Sequence, residues 1–247
     1  MTDASHRPVQ GQEPVPRTYG VRFAFHPHIK LTKKAGLEFA TRISDYLEPK
    51  KLDLDAHQWT LAQPVGSDPN GSLATQVTAN SLSIETAFPT NAQEWFEQRF
   101  VHIIEAFADQ FKPALVLEHG AIVRATVPIE GDARVFLLKS VLHMAGEQMR
   151  PLKRPIHLVG LRLFFPPFEQ TTGEHTEQTD WDIELKAESL LSDPSKLFLE
   201  VDATRATPQE WKKETPEAVV ELLGEVKDYL GKHVIPFLES GLGSEEQ

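Results

Sequence analysis

Gly20-Val21-Arg22-Phe23-Ala24-Phe25-His26-Pro27 alternates the apolar residues Val21, Phe23 and Phe25 with Arg22, Ala24 and His26. Residues two apart in an extended chain point to the same side, so this stretch is a strand with one buried and one open face. A similar run, Gly160-Leu161-Arg162-Leu163-Phe164-Phe165-Pro166-Pro167, follows at an offset of 140 and repeats the alternation with Leu161, Leu163 and Phe165. Leu82-Ser83-Ile84-Glu85-Thr86 resembles Leu197-Phe198-Leu199-Glu200-Val201, and each precedes the same tripeptide, Gln93-Glu94-Trp95 and Gln209-Glu210-Trp211. Matches in one order predict two copies of one unit. The offset falls to 116 at the tripeptides, so the first copy carries about two dozen more residues between its strands.

Outward from these strands the apolar spacing turns helical. Leu37, Ala40, Ile43 and Leu47 share one helix face, with Thr32 placed to cap it. Segments near 52–63 and 73–88 read as strands joined by the turn Gly66-Ser67-Asp68-Pro69-Asn70-Gly71. Asn91 can cap the next helix with Glu94 as capping-box partner, and Phe96, Phe100, Ile103, Phe107 and Phe111 form its apolar stripe. Its counterpart is expected to begin with Thr207 as cap, Pro208 at the first helical position and Glu210 completing the box, with Trp211 in the first turn. After a second start at Thr215-Pro216, the face continues through Val219, Leu222, Leu223, Val226, Leu230, Val234 and Phe237. Strands near 115–127 and a helix from Asp132 to Met149 lie between. The pattern predicts an α+β fold: an internally duplicated unit, mainly antiparallel sheet, amphipathic helices on one face, related by a pseudo-twofold. Its divisions are a disordered lead over 1–17, repeats over 18–131 and 132–239, and a flexible tail over 240–247.

Among the 247 residues, 25 are basic and 36 acidic, a net charge of −11, and 14 acidic against 7 basic residues fall in 183–247. That balance argues against binding to nucleic acid or to an anionic membrane, both of which need clustered Lys and Arg. With no cysteine, disulfides, thiol catalysis and cysteine-held metal sites are excluded. No run of some eighteen apolar residues predicts a membrane-spanning helix, and the polar, proline-containing start has no signal-peptide core, so the expectation is a cytoplasmic protein.

The Val159-Gly160-Leu161-Arg162-Leu163 strand after a helix, together with the acidic C-terminal helix, resembles a sporadically distributed family of uncharacterised bacterial proteins of similar length. The resemblance implies neither an activity nor catalytic residues.

His26-Pro27-His28 places two imidazoles two residues apart, where both could reach one metal ion, with His57 or His119 as a third ligand and Glu118 as a base. A pair of surface histidines leaving a strand is the simpler reading. Arg22 and Arg162, matched between the copies, could converge on an anion. The simpler alternative pairs Arg22 with Glu85 and Arg162 with Glu200 across neighbouring strands. Trp95 and Trp211 could form a paired aromatic site, or lock their helices onto the sheet. Phosphate-loop, dinucleotide and nucleophile-elbow motifs do not occur, and no cofactor is implied. The function that follows is a non-enzymatic binding or protein-interaction module. Its partner would be a protein, of basic character, or a second copy of the chain. The alternatives are a metal-dependent hydrolase centred on His26 and His28, or a small apolar-ligand carrier.

Overall fold

The computed structural model describes residues 7–8, 13–89, 93–144, 146–172 and 175–240. In chain order the elements are β1 (Arg7–Pro8), β2 (Val15–His26), α1 (Lys33–Arg42), β3 (Lys51–Leu54), β4 (Gln58–Pro64), β5 (Ser72–Thr78), β6 (Ser81–Ala87) and α2 (Gln93–Phe111). There follow β7 (Leu115–Glu130), α3 (Ala133–Phe136), α4 (Gly146–Met149), β8 (Gly160–Phe165), β9 (Phe168–Thr172) and β10 (His175–Thr179). The chain ends through β11 (Asp182–Ser189), β12 (Lys196–Arg205), β13 (Gln209–Glu210), α5 (Thr215–Tyr229) and α6 (Ile235–Ser240). The fold is α+β. One 11-stranded antiparallel sheet runs in the order β3-β4-β5-β6-β2-β7-β12-β11-β8, with β1 and β13 also paired to β7, and β9 and β10 form a separate hairpin.

Alternation decides which face is buried. Val21 lies opposite both Ile84 and Ala121, Thr75 opposite Ile84, and Val123 opposite Val201, which lies opposite Leu185; all are buried. The helices cover this face. The stripe on α2 is core, with Phe96, Phe100, Ile103 and Phe107 buried, each such phenylalanine contributing roughly 1.5–3 kcal/mol. Thr32 caps α1 by accepting a hydrogen bond from the Ala35 amide. The helix can lie close to the sheet because Gly36 has no side chain; a Cβ there would sit 2.8 Å from Leu54 and 3.1 Å from Trp59. The cap expected at Asn91 lies outside the described residues.

Several expectations are corrected. β2 begins at Val15 and Arg7–Pro8 pair with Ile129–Glu130, so part of the expected lead joins the sheet; β7 is longer than β2 can cover. The tail beyond Ser240 lies outside the described residues. Thr207-Pro208 starts no helix: Gln209–Glu210 run extended along Leu115–Val116, and the Trp211 ring lies tilted against Phe23, 5.6 Å between centroids. Packing that half-buried indole on the core holds the segment against the sheet, and the helix waits for Thr215-Pro216. The expected helix over 132–149 is broken: α3 passes into a π-turn at Leu137–Val141, and His143 takes a positive φ of 50° before α4. The run Gly20–His26 is central, whereas its sequence match Gly160–Phe165 is an edge strand, so the two are not equivalent in the sheet.

A second π-turn, Leu230–Val234, joins α5 to α6 and moves the buried positions by one residue. The core takes Leu230, Val234 and Leu238, while Phe237 is 43% exposed instead of continuing the face. Leu238→Ala is therefore expected to lower unfolding stability in urea by about 2–5 kcal/mol. Phe237→Ala should cost less than about 1 kcal/mol.

Candidate functional site

The face of the sheet opposite the helices is lined by the other half of every alternation. Cross-strand register sets Thr60, Gln76, Ser83, Arg22, Gly120, Thr204 and Asp182 in one row. A second row runs Ala62, Ala74, Glu85, Gly20, Ile122, Asp202, Glu184 and Phe164. The third is Pro64, Ser72, Ala87, Thr18, Arg124, Glu200, Lys186 and Arg162. Among the described residues no helix lies over these rows. The face divides into a charged half, on β7, β12, β11 and β8, and a half of short side chains on β4, β5 and β6.

Two arginines organise the charged half. Arg22 Nη1 donates to Asp202 Oδ1 at 2.6 Å, Nη2 donates to Thr204 Oγ1, and Nε lies 3.7 Å from Glu118. Asp202 stands on β12, so the guanidinium must cross β7, and Gly120 lets it pass: a Cβ there would be 2.9 Å from Arg22 Cζ. Burial holds the Asp202 carboxyl above its ordinary value, although the Arg22 charge and hydrogen bond oppose the rise. Arg124 Nε donates to Glu200 at 2.6 Å and Nη1 to Glu85 at 3.1 Å, bridging β12 and β6. Burial pulls its pKa down, but the Glu200 hydrogen bond and the charges of Glu85, Glu200 and Asp202 outweigh that and raise it.

The arginine pairing expected from the sequence has the wrong partners. Glu85 and Glu200 both go to Arg124, Arg22 goes to Asp202, and Arg162 pairs with Glu184 at 2.6 Å. Arg22 and Arg162 do not converge on an anion: β7, β12 and β11 separate their strands, about 19 Å at the usual strand spacing. Nor do the tryptophans meet. Trp95 lies under Arg99, whose Cζ is 3.8 Å from the ring, whereas Trp211 is 6.5 Å from Phe107, roughly 18 Å along α2 from Trp95 by helical rise. Trp211 lines a cleft of about 450 Å³ with Glu105, Ala108, Asp109, Lys212, Lys213 and Pro216.

The rings of His26 and His28 are exposed, with centroids 6.2 Å apart, and no third metal-ligating side chain joins them among the described residues. His119, one of the expected third ligands, points into the helix side, 1% exposed, with no partner for either ring nitrogen. Burial first, then the charge of Arg205, lower its pKa to about 4, against a smaller opposing effect of Asp180.

In the small-residue half, Ser72, Ala74, Gln76, Ser83, Glu85 and Ala87 line a shallow hollow of about 150 Å³. No side chain there exceeds Gln or Glu, so an approaching group meets the sheet backbone with Glu85 at the boundary. Neither this hollow nor the Trp211 cleft is an apolar cavity between sheet and helices. Among the described residues no helix is long and apolar enough to cross a membrane. No protein-family model and no curated protein matches the chain.

The residues missed in the sequence are Arg124, Asp202 and Gly120. Arg124 carried a signal, as a lone charge alternating with Val123 and Ala125, but its partners depend on strand order.

Two measurements check this geometry. Gly120→Ala is expected to push Arg22 off Asp202 and destabilise the protein by about 1–3 kcal/mol, read by urea unfolding. His119 is kept neutral in the folded state, so the unfolded chain takes up its proton first as pH falls. The stability present above pH 6.5 should be lost between 6.5 and about 4, by up to ~3 kcal/mol. In thermal unfolding across that range, His119→Leu should flatten the dependence.

Proposed function

We propose that the chain is a non-enzymatic binding module: a protein-interaction surface on a duplicated α+β scaffold. The observation that carries this reading is the sheet face left free of helices, with its small-residue hollow bordered by Glu85. The ionisable groups of this face are engaged with one another, in Arg22–Asp202 and Arg124–Glu200, instead of converging on a shared cleft. A protein partner that presents a lysine or arginine beside a flat or extended segment fits both features. The segment lies on short side chains at little desolvation cost, and its cation meets the half-exposed Glu85, whose Oε1 already accepts from Arg124, in a chain of net charge −11.

The duplication is supported by strand order in a different register from the sequence matches. Leaving β2, the route passes α1 and then β3, β4, β5 and β6, which stack back towards β2, before α2. Leaving β7, it passes α3 and then β8, β11 and β12, which stack back towards β7, before α5. The two units would be 15–111 and 115–240, meeting at the β2–β7 pair, with β7 in the second. The resemblance of the Val159–Leu163 strand to a bacterial family adds no activity to this reading.

Photo-crosslinking in cells tests the surface. A benzophenone side chain at Gln76 is expected to trap one discrete protein, the same probe at exposed Glu221 on α5 is not, and Glu85→Lys should reduce the Gln76 adduct about tenfold. Identical adducts from both positions, or none from Gln76, would sink the proposal.

A further inference from the structure

The two edges of the large sheet are built differently. β3 is short and carries Lys51 and Asp53 beside Lys50, the charged pattern that keeps an edge from pairing with another chain. β8 is less protected, its one charged side chain, Arg162, being paired to Glu184 on the next strand. It is paired on one side, to β11, and presents Phe164 at 63% and Phe165 at 37% exposure. Leu158, just before it, and Phe168, just after it, are 47% and 45% exposed. Among the described residues, nothing pairs with its outer side.

The hydrogen-bonding direction of β8 follows from its inner side. The Ser189 amide donates to the Val159 carbonyl at 2.9 Å, so Val159 directs its polar groups to β11. Alternation then directs those of Leu161, Leu163 and Phe165 inward too, and leaves those of Gly160, Arg162 and Phe164 on the open edge. We propose that β8 pairs antiparallel with β8 of a second copy, centred on Leu163, joining two sheets into one across a twofold axis.

That register is selected by chemistry. A strand pairing with itself must set outward-directed residues opposite one another. Centring on Arg162 would put two guanidinium groups directly opposite, which is repulsive. Centring on Phe164 would set Arg162 against Pro166, which has no amide hydrogen, and leave Phe164 alone fully bonded, whereas centring on Leu163 meets Pro166 only at the ends, opposite Gly160. Centring on Leu163 sets Arg162 opposite Phe164 of the other copy, twice, so that each guanidinium can lie on an aromatic ring while keeping Glu184. On the helix side Leu163 meets its own copy and Leu161 meets Phe165, covering side chains that are half-buried or exposed in one chain.

The absence of cysteine allows a direct test with the full chain. At equilibrium in an ultracentrifuge, across the micromolar range, the protein is expected at twice 27.8 kDa. Leu163→Cys should form an intermolecular disulfide under mild oxidation, since opposite residues of a non-hydrogen-bonded pair approach to about 4.5 Å between Cα atoms. Leu161→Cys should not, its two copies being about 13 Å apart along the strand. Phe164→Lys, which sets a lysine against each Arg162, should weaken association about tenfold, the contact occurring twice. An unchanged circular dichroism spectrum and thermal midpoint for the dilute variant keep this result separate from unfolding. A monomer throughout that range, a dimer that Leu163→Cys fails to link, or equal linking through Leu161→Cys each overturns the proposal.

Discussion

Two long antiparallel strands, β2 and β7, bind the halves of this molecule to one another. β7 has 16 residues and pairs with β2 on one side and β12 on the other, while its ends hold β1 and β13. Without that ladder, β3 to β6 and β8, β11 and β12 would not belong to one sheet. The pair is also where register matters most. Slipping β2 by one residue would turn Arg22 into the helix side and Phe23 out to water, so the hydrophobic cost of a slip fixes the alignment. Every other alternation in the sheet is tied to this one through the ladder.

A single helix layer divides the physical work between the faces. On the helix side the terms are area and packing: Phe25 contacts Phe107 at 5.0 Å between centroids, and Phe107 contacts Phe111 at 4.9 Å. On the other face the terms are ionic. Arg22, Arg124 and their carboxylates stay partly in water, with side chains between 16% and 46% exposed, so their attraction is screened and worth far less than a dry pair. Their geometry contributes specificity instead. An arginine that spans two strands over a glycine fits one strand order.

How much of this was legible follows from which signals are local. The alternation of β2, the stripe of α2 and the Thr32 cap depend on neighbouring residues, and the sequence carries them openly. Place in the sheet does not. Gly20–Phe25 and Gly160–Phe165 look alike because both alternate apolar with other residues, yet the first lies at the centre with Val21, Phe23 and Phe25 buried, and the second at an edge with no residue buried. Trp211 was read as helical because Gln-Glu-Trp begins α2, where the same letters meet no competing core contact. Leu238 replaced Phe237 because a π-turn changes the period, and no residue in Leu230–Val234 announces one. The arginine partners could not be named for the same reason: Arg22 reaches Asp202, 180 residues away, only through the observed order of β2, β7 and β12.

Burial also separates the two proposed contact surfaces. The charged half of the open face already satisfies most of its groups, so a ligand there must break a bond such as Arg124–Glu200 before making its own, at a cost close to the gain. The half bearing Ser72, Ala74, Ser83 and Ala87 has little to break. At the β8 edge the unpaired backbone groups are in water, and exchanging them for a ladder is nearly neutral; the exposed phenylalanines supply the net driving force. The two surfaces therefore favour different chemistry, polar and shape-dependent contact on the face, apolar strand addition at the edge. Occupying the edge leaves the hollow on β5 and β6 open, because β2, β7, β12 and β11 lie between them in the sheet.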